Sequence, residues 1–265
     1  MRRIEGKTAL VTGGASGLGK AIAVRLKSEG ARVVISDIDP AAGEAVSAEH
    51  GFSFVQQDVR DENQWTRVVK DVESRFERLD ILVNNAGILG PIESATPEST
   101  RLEDWRRIFA VNVEGVFLGC RAGLTAMRRA GGGSIVNISS VAGMLATPGA
   151  AAYGASKAAV RHLTKSVAQY CCEQKLAVRC NSVHPGDVMT PLWDKAAVEM
   201  GRGMGKTPLE VVARERALSP MGDFAKPEDI AAAVAYLASP DARWVTGDAL
   251  IVDAGVVNCD TFHPE

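Results

Sequence analysis

The sequence predicts an α/β fold built on a doubly wound parallel sheet of about seven strands, with helices on both faces. Short runs rich in β-branched residues alternate with longer segments whose apolar residues recur every three or four positions. This alternation continues along the chain from its first residues. Strands separated by crossover helices lie parallel, and both faces of their sheet are covered by those helices.

The strand pattern occurs in seven segments: 8–12, 32–37, 52–57, 80–83, 134–139, 177–183 and 249–252. Helical periodicity is found in 18–29, 63–76, 102–127, 153–172 and 227–237. Pro40 and Pro227 fit the first turn of a helix, where proline is favoured. Since no linker or internal repeat divides the chain, we expect residues 1–265 to form a single domain.

The segment from Met189 to Gly222 departs from this regular alternation. Several glycines lie between its apolar residues. Long irregular connections in compact domains are often lids over active sites. We therefore expect residues 189–222 to be a movable lid over a substrate site.

Charge and composition restrict the classes of partner. The chain has 30 Lys and Arg against 32 Asp and Glu, a formal net charge of −2, so we expect neither nucleic acid nor a membrane surface as a partner. No apolar run reaches the roughly 18 to 20 residues of a membrane span. A small-molecule partner and a cytoplasmic location are therefore expected.

The cysteines and histidines carry no metal or disulfide signal. Five cysteines form no CxxC pair, and Cys171 and Cys172 are adjacent, where a disulfide is strained. Reduced thiols fit the cytoplasm. The four histidines lack a ligand spacing such as HExxH, so no metal site is predicted.

A glycine-rich turn, TGGASGLG at 12–19, follows the first predicted strand. Glycines there allow a sharp turn and a close approach of the backbone to a pyrophosphate at a helix N-terminus. Asp37 ends the second strand 18 residues after Gly19, near the roughly 20-residue separation of a ribose-binding acid. A plain βα turn and a strand-end turn residue are the structural alternatives.

Asp37 also indicates which dinucleotide is bound. A carboxylate accepts hydrogen bonds from ribose hydroxyls and repels a 2′-phosphate, which calls for Arg or Lys instead. The neighbouring positions Ala15, Ser36 and Ile38 supply no cation. NAD rather than NADP is the predicted cofactor.

Further polar and small residues follow three other predicted strands, where an open α/β sheet binds its ligand. They are Asp58-Val59, Asn84-Asn85-Ala86-Gly87 and Pro185-Gly186. Each group could be turn chemistry alone. Their common position at one edge of the sheet favours a ligand site.

Tyr153 and Lys157 are four residues apart in a predicted helix, so their side chains share one face. A nearby ammonium lowers the pKa of a phenol, which can then exchange a proton with an alcohol or ketone. A packed tyrosine beside a solvated lysine is the alternative. Ser140 ends the fifth strand, where its hydroxyl can hydrogen-bond a substrate oxygen. Asn112 is a polar residue in an apolar helical stretch.

Taken in order, these motifs resemble those of the short-chain dehydrogenase/reductase family, in its compact single-domain branch with a Rossmann fold. The motifs are TGGASGLG at 12–19, Asp58, NNAG at 84–87, Asn112, Ser140, YGASK at 153–157 and HPG at 184–186. The resemblance covers nearly the whole chain. The run from Arg179 to Gly186 is similar to bacterial hydroxysteroid and cyclic-alcohol dehydrogenases of the family.

The resemblance implies a catalytic tetrad of Asn112, Ser140, Tyr153 and Lys157. Tyr153 would be the acid and base, Ser140 would hold the substrate oxygen, and Lys157 would lower the tyrosine pKa and bind the nicotinamide ribose. Asn112 would distort its helix and anchor a water that relays protons to Lys157. The cofactor residues expected from motifs and resemblance together are Gly13, Ser16, Gly17, Leu18, Gly19, Asp37, Asp58, Val59, Asn84, Ala86, Gly87, Tyr153, Lys157, Pro185, Gly186, Val188 and Thr190.

The expected function is NAD-dependent interconversion of a secondary alcohol and a ketone. An apolar substrate of cyclic, aromatic or steroid type is expected from the candidate pocket residues Met144, Leu145, Met189, Leu192, Trp193, Met200 and Met204, which could equally belong to the core or an interface. Two alternatives are a 3-oxoacyl thioester reductase and an NAD(H)-binding sensor or scaffold. The resemblance also implies a homotetramer that pairs the helices near 102–128 and 153–172.

Overall fold

A computed structural model describes residues 3–259, and its described residues form one parallel sheet of seven strands in the order β3-β2-β1-β4-β5-β6-β7. The strands are β1 (Thr8–Thr12), β2 (Arg32–Asp37), β3 (Ser53–Gln56), β4 (Ile81–Asn84), β5 (Gly133–Ile138), β6 (Val178–Pro185) and β7 (Ala249–Val252). The chain winds outward from β1 to β3 and then returns to place β4 on the other side of β1. The predicted doubly wound sheet is therefore confirmed.

Helices cover both faces of this sheet. They are α1 (Gly17–Ser28), α2 (Pro40–His50), α3 (Glu62–Phe76), α4 (Leu102–Phe109), α5 (Gly115–Ala130), α6 (Ala151–Glu173), α7 (Pro191–Met204), α8 (Pro208–Leu218) and α9 (Pro227–Ala238). Successive side chains of each strand point to opposite faces of the sheet and contribute to two hydrophobic cores. Val11 packs in the core that includes α1 and α9, whereas its neighbour Leu10 packs in the core that includes α3, α5 and α6.

The helix starts follow from local chemistry. Pro40 is the first residue of α2, as predicted, and the preceding Asp39 side chain accepts a hydrogen bond from Ala42 N at 3.1 Å. Pro227 likewise begins α9. The backbone N–H of the first helical residue has no partner within the helix, so proline, which has no N–H, is favoured there. An acid just before the helix accepts a hydrogen bond from the free N–H groups of the first turn.

The predicted helix 102–127 is continuous but irregular. A π-helical turn at Ala110–Glu114 separates α4 from α5. An 18-residue window of the 29-residue helix Leu102–Ala130 has a mean hydropathy of 1.3, so by length and composition alone this helix could cross a membrane. Charged residues such as Glu114 and Arg121 interrupt its apolar sequence, so it is not the uninterrupted apolar run that the sequence was expected to lack. Val116, Cys120 and Met127 nevertheless pack in a core with residues of the strands, as in a core helix of a globular protein.

The segment 189–222 is more regular than the sequence analysis expected, since it contains α7 and α8. Both helices begin with a capping threonine followed by proline. Thr190 accepts a hydrogen bond from Trp193 N at 3.3 Å, and Thr207 forms a reciprocal capping box with Glu210. The Thr-Pro pairs at 190–191 and 207–208 were the signals of helix starts.

Candidate active site

A cavity of about 1070 Å³ opens at the carboxyl ends of the strands. Its walls come from both halves of the sheet, from the turns after β1 to β4 on one side and from β5, α6, β6, α7 and α8 on the other. The strand order changes direction between β1 and β4, where doubly wound sheets leave a crevice. The cavity is large enough for a dinucleotide together with a small substrate.

The glycine-rich turn forms the floor of one end of the cavity. Gly13 and Gly17 have φ angles of 63° and 49°, in the left-handed region that favours glycine. A Cβ on Gly13 would lie 2.9 Å from Ala86 Cα, and a Cβ on Gly19 would collide with Gly13 O. Only glycines let the N-terminus of α1 come this close to the turn after β4, as a pyrophosphate site requires.

Thr12 and Asn85 join the turns after β1 and β4. Thr12 Oγ1 accepts hydrogen bonds from Asn85 N at 3.0 Å and Ala86 N at 3.1 Å. Asn85 Nδ2 donates to Thr12 O at 2.9 Å and Gly13 O at 3.1 Å. The sequence analysis placed Asn85 inside a motif without giving it a role, and its role here is to fix the shape of the glycine turn.

Asp37 lies at the end of β2 on the cavity wall. Its Oδ2 accepts a hydrogen bond from Ala15 N at 3.1 Å, and its Oδ1 accepts one from Asp39 N at 3.2 Å. Ile38 beside it is an exposed apolar residue that also lines the cavity. This end therefore offers a fixed carboxylate beside an apolar surface, which suits a ribose and an adenine.

Asp58, after β3, also lines the cavity and pairs with Arg60 across 2.6 Å. Hydrogen bonds from the Arg60 guanidinium lower the pKa of Asp58. Arg60 lines the cavity as well, and the sequence analysis missed it. Its adjacency to Asp58 was the available signal.

Tyr153 and Lys157 lie one turn apart on α6 at the cavity wall, with Lys157 Nζ 5.5 Å from the centroid of the tyrosine ring. Burial raises the pKa of Tyr153 to about 12, and a hydrogen bond with Ser140 acts in the opposite direction. Burial lowers the pKa of Lys157 to about 8. The net pKa of Tyr153 is therefore raised in this structure, with loss of solvation as the largest cause. The role of Lys157 in lowering it stays a prediction.

The Lys157 ammonium is held on the sheet side of this pair. It is buried and donates a hydrogen bond to Ile138 O, at the end of β5, at 2.9 Å. Ser139 Oγ donates to Lys157 O at 2.8 Å. These bonds join α6 to the end of β5 and so fix the distance between Lys157 and Ser140.

His184 forms a hydrogen bond with the backbone of Ser140. It is fully buried, with Nδ1 3.0 Å from Ser140 O and Nε2 2.9 Å from Ser182 Oγ. Because a carbonyl oxygen can only accept, Nδ1 carries the proton and Nε2 accepts from the Ser182 hydroxyl. Burial lowers the pKa of His184 to about 4, so the ring is a neutral donor that fixes the Ser140 backbone.

Asn112 lies in the π-helical turn, which confirms the expected distortion of its helix. Its Oδ1 accepts from Ile88 N at 2.8 Å, and its Nδ2 donates to Ile88 O at 2.9 Å and to Ser156 Oγ at 3.0 Å. The π turn thus brings one amide side chain between the segment after β4 and helix α6. Asn112 does not itself line the cavity.

Most of the predicted site residues border the cavity. These are Gly13, Ser16, Gly17, Leu18, Asp37, Asp58, Val59, Ala86, Gly87, Ser140, Tyr153, Lys157, Pro185, Gly186, Val188 and Thr190. Gly19 and Asn84 do not border the cavity. Gly19 is buried in the turn, and the Asn84 side chain points back under the sheet edge, where its Nδ2 donates to Asn137 Oδ1 at 2.8 Å. Consecutive strand residues face opposite sides, so the next residues of the NNAG motif reach the cavity instead.

The other end of the cavity is mainly apolar but not entirely so. Five of the seven predicted pocket residues line it, namely Leu145, Leu192, Trp193, Met200 and Met204, whereas Met144 and Met189 do not. The sequence analysis missed the carboxylates that share this wall, which are Glu93, Asp187, Glu199 and Glu215. Asp187 follows directly after Pro185-Gly186, and that position was a signal. The three glutamates lie in irregular or helical segments with no motif.

Comparison with known proteins agrees with this geometry. A family model described as enoyl-(acyl carrier protein) reductase matches residues 13–257. The 3-beta-hydroxysteroid dehydrogenase of Comamonas testosteroni is 42% identical over 96% of this chain and 97% of its own. The NADP-dependent (R)-specific alcohol dehydrogenase of Lentilactobacillus kefiri is 40% identical over 96% and 97%. A crystal structure of levodione reductase superposes with a TM-score of 0.89 at 32% identity, covering 96% of this chain and 98% of that one.

The buried His184 predicts a pH-dependent stability. A histidine whose pKa is lowered by folding stabilises the protein fully above its unfolded pKa, near 6.5, and this contribution is lost as the pH falls towards the folded value of about 4. Between pH 7 and 4, we expect the free energy of unfolding to fall by about 3 kcal/mol more in the wild type than in His184→Asn.

Urea unfolding at several pH values measures this difference. His162→Asn, at an exposed position on α6, should follow the wild-type pH dependence. Parallel curves for the wild type and His184→Asn would contradict the neutral, buried state assigned to this imidazole.

Proposed function

The chain belongs to the short-chain dehydrogenase/reductase family, and from that premise we propose that it is an NAD-dependent enzyme that interconverts a secondary alcohol and a ketone. Its relatives are named as hydroxysteroid and alcohol dehydrogenases, so it is an oxidoreductase that acts on CH–OH groups with a nicotinamide cofactor. One observation carries the proposal. A buried lysine and a tyrosine one helical turn apart border the cavity that also contains the glycine-rich turn and Asp37.

The residues present fit a nicotinamide dinucleotide. Glycines at 13 and 19 let the turn and the start of α1 pack against Asn85 and Ala86, since a Cβ on either glycine would collide with protein atoms there. A pyrophosphate is favoured at the N-terminus of α1. Asp37 would hold the adenosine ribose, while Val188 and Thr190, at the other end, would contact the nicotinamide. When bound, this cofactor supplies the hydride acceptor or donor.

Tyr153 is the proposed proton donor and acceptor. In ketone reduction its hydroxyl gives a proton to the substrate oxygen, which the Ser140 hydroxyl orients by a hydrogen bond. Its raised pKa keeps the phenol protonated until the substrate oxygen becomes basic. Lys157 then stabilises the phenolate that remains, and alcohol oxidation runs through the same steps in reverse.

Asn112 and His184 act as positioning residues in this mechanism. Asn112 ties the segment after β4 to α6 through Ser156, and His184 fixes the Ser140 backbone. We propose that Asn112 also anchors the water that returns protons to Lys157. A Cβ on Gly87 would lie 3.3 Å from Asn112 Oδ1 and 3.5 Å from Lys157 Nζ, so both groups border the same small space.

We propose that α7 and α8 form the substrate lid of a single-domain enzyme. Leu192, Met200 and Met204 on α7 give the cavity an apolar wall, which suits a cyclic, aromatic or steroid body. Glu199 Oε2 accepts a hydrogen bond from Ile92 N at 2.8 Å. This bond joins α7 to the loop on the opposite rim and so holds the lid across this end of the cavity.

We propose a homotetramer in the cytoplasm, without nucleic-acid or membrane partners. The exposed apolar residues Leu102, Trp105, Phe117 and Tyr170 lie on the helices 102–130 and 151–173, the two helices expected to pair between subunits. Large exposed apolar side chains commonly mark such contacts. The five cysteines are free, which fits a reducing compartment.

A thioester reductase is the alternative suggested by the name of the matching family model. A phosphopantetheine-bound substrate carries a phosphate, for which basic residues near the cavity mouth are favourable. Among the described lining residues, Arg60 and Lys157 are the cations, and Arg60 is paired with Asp58. The substrate side carries carboxylates instead, so the alcohol dehydrogenase is favoured.

The fixed Asp37 predicts a preference for NAD. We expect kcat/KM with NAD to exceed that with NADP by at least about tenfold, since a 2′-phosphate would face this carboxylate. The double variant Asp37→Ala, Ile38→Arg should shift the ratio towards NADP. Equal or better use of NADP by the wild type would refute the assignment.

Tyr153→Phe tests the enzyme against the sensor alternative. Loss of the only proposed proton donor should lower kcat by about 10²- to 10⁴-fold, while the affinity for NADH, measured by fluorescence titration, stays within threefold. Tyr170→Phe, on the exposed face of the same helix, is the matched control and should retain turnover. Unchanged cellular function in Tyr153→Phe would favour a sensor.

The Tyr153–Lys157 pair predicts opposite pH dependences for the two directions. The first proton leaves from Lys157, at a pKa of about 8. Reduction needs the Tyr153 proton, which is transferred to the substrate, and the Lys157 proton, whose charge stabilises the phenolate. The rate of reduction should therefore fall as the pH rises through about 8. Oxidation needs the pair with one proton removed and should accelerate over the same range.

Rates in both directions from pH 6 to 10 check this, with a substrate isotope effect used to show that chemistry limits kcat. Lys157→Met should lose the inflection near pH 8. Rates that are flat across this range would contradict the assigned acid and base.

A further inference from the structure

Asp187 places a carboxylate on the cavity wall, between the end of β6 and the start of α7. Its backbone is held firmly, since Asp187 O accepts a hydrogen bond from Ala225 N at 3.2 Å and Val188 forms a β-bridge with Ala225. The residue belongs to the exposed cavity lining. Its position is therefore fixed by the sheet edge and does not depend on a flexible loop.

The side chain of Asp187 is oriented as well. Trp193 Nε1 donates a hydrogen bond to Asp187 Oδ1 at 2.9 Å. The indole packs against Phe224 with ring centroids 5.1 Å apart, which restricts its own motion. Within residues 3–259, Asp187 Oδ2 has no hydrogen-bond partner from the protein, so the bond from Trp193 to Oδ1 orients the carboxylate and leaves Oδ2 for a further donor.

The free oxygen of Asp187 still contacts solvent, because the residue is exposed within the cavity lining. The surrounding wall nevertheless reduces the solvation of the charged form and so raises the pKa of Asp187. A bound molecule that displaces the remaining water must supply a donor in its place, or the carboxylate loses stability. The negative charge of Asp187 also contributes to the raised pKa of Tyr153, and both residues line the same cavity.

A second carboxylate adds to the negative charge of this region of the cavity. Glu215 on α8 lines the cavity, with Oε1 2.9 Å from Arg214 Nη1. The charge of Asp187 adds to the burial that raises the pKa of Glu215. A substrate carboxylate or phosphate would be repelled here, whereas a group that donates hydrogen bonds would be stabilised.

We propose that Asp187 is a specificity-determining residue whose free oxygen accepts a hydrogen bond from a second polar group of the substrate. The preferred substrates are then secondary alcohols with an apolar body and a second donor, either a hydroxyl or an ammonium group. This inference rests on the proposed alcohol dehydrogenase activity and narrows its substrate class. It revises the expectation of a wholly apolar substrate.

The test compares three substrates with the same ring: cyclohexanol, trans-1,2-cyclohexanediol and trans-2-aminocyclohexanol. For each protein, kcat/KM with NAD is measured, and the values for the diol and the amino alcohol are divided by the value for cyclohexanol. The proteins are the wild type, Asp187→Leu, Asp187→Asn and the control Asp194→Asn, which removes an exposed charge on α7 outside the cavity lining.

The wild type should prefer both disubstituted substrates, and Asp187→Leu should lower both ratios by about 10- to 100-fold, the value of a hydrogen bond to a charged group. In Asp187→Asn the amide oxygen accepts from Trp193 and an NH₂ group faces the substrate. We expect this variant to lose the ammonium preference and to keep part of the diol preference, since a hydroxyl can also accept. Asp194→Asn should retain the wild-type ratios.

Two kinds of failure are distinguishable. If the wild type oxidises these alcohols with ratios near one, or if Asp187→Leu lowers all three kcat/KM values equally, this inference alone is overturned. If no alcohol in the set is oxidised with NAD or NADP, the proposed function is overturned and this inference with it. If circular dichroism shows that Asp187→Leu does not fold, the nearly isosteric Asp187→Asn is used instead. An unchanged preference of that variant for the amino alcohol then overturns the inference.

Discussion

The site depends on the contact between the turns after β1 and β4, where the winding of the sheet reverses. Four hydrogen bonds cross this boundary, all donated by Asn85 and Ala86 to Thr12 and Gly13. Gly13 can adopt its left-handed conformation against Ala86 only because neither turn carries bulk at that point. These bonds fix the opening of the crevice, and the cofactor end and the reacting end are both positioned relative to it.

Burial then determines the chemistry of the reacting end. The same loss of solvation that raises the pKa of Tyr153 lowers that of Lys157 and of His184, because burial penalises whichever form is charged. A neutral imidazole can orient the Ser140 backbone, whereas in our proposal the phenol exchanges a proton with the substrate and the ammonium stabilises the phenolate. Their different roles follow from a common environment and from the partners that each atom can reach.

Carboxylates line both ends of the cavity. Asp37 and Asp187 lie at the ends of β2 and β6, on opposite sides of the reversal. Each is a carboxylate whose orientation is fixed by N–H donors. The same arrangement therefore occurs at both ends of the cavity, and in our proposals one carboxylate serves the cofactor and the other the substrate.

The sequence by itself determined the sheet, most of the helices, the glycine turn and the Tyr153–Lys157 pair. Periodicity and i,i+4 spacing are local patterns, so they can be recognised without knowledge of the fold. It did not determine the helices in 189–222, whose Thr-Pro starts were hidden by glycines, or the fact that Asn84 faces inward while its neighbours reach the cavity. Only tertiary structure decided the direction of the Tyr153 pKa shift and the free oxygen of Asp187. Solvation and hydrogen-bond partners come from residues that are distant in the chain, and spacing carries no information about them.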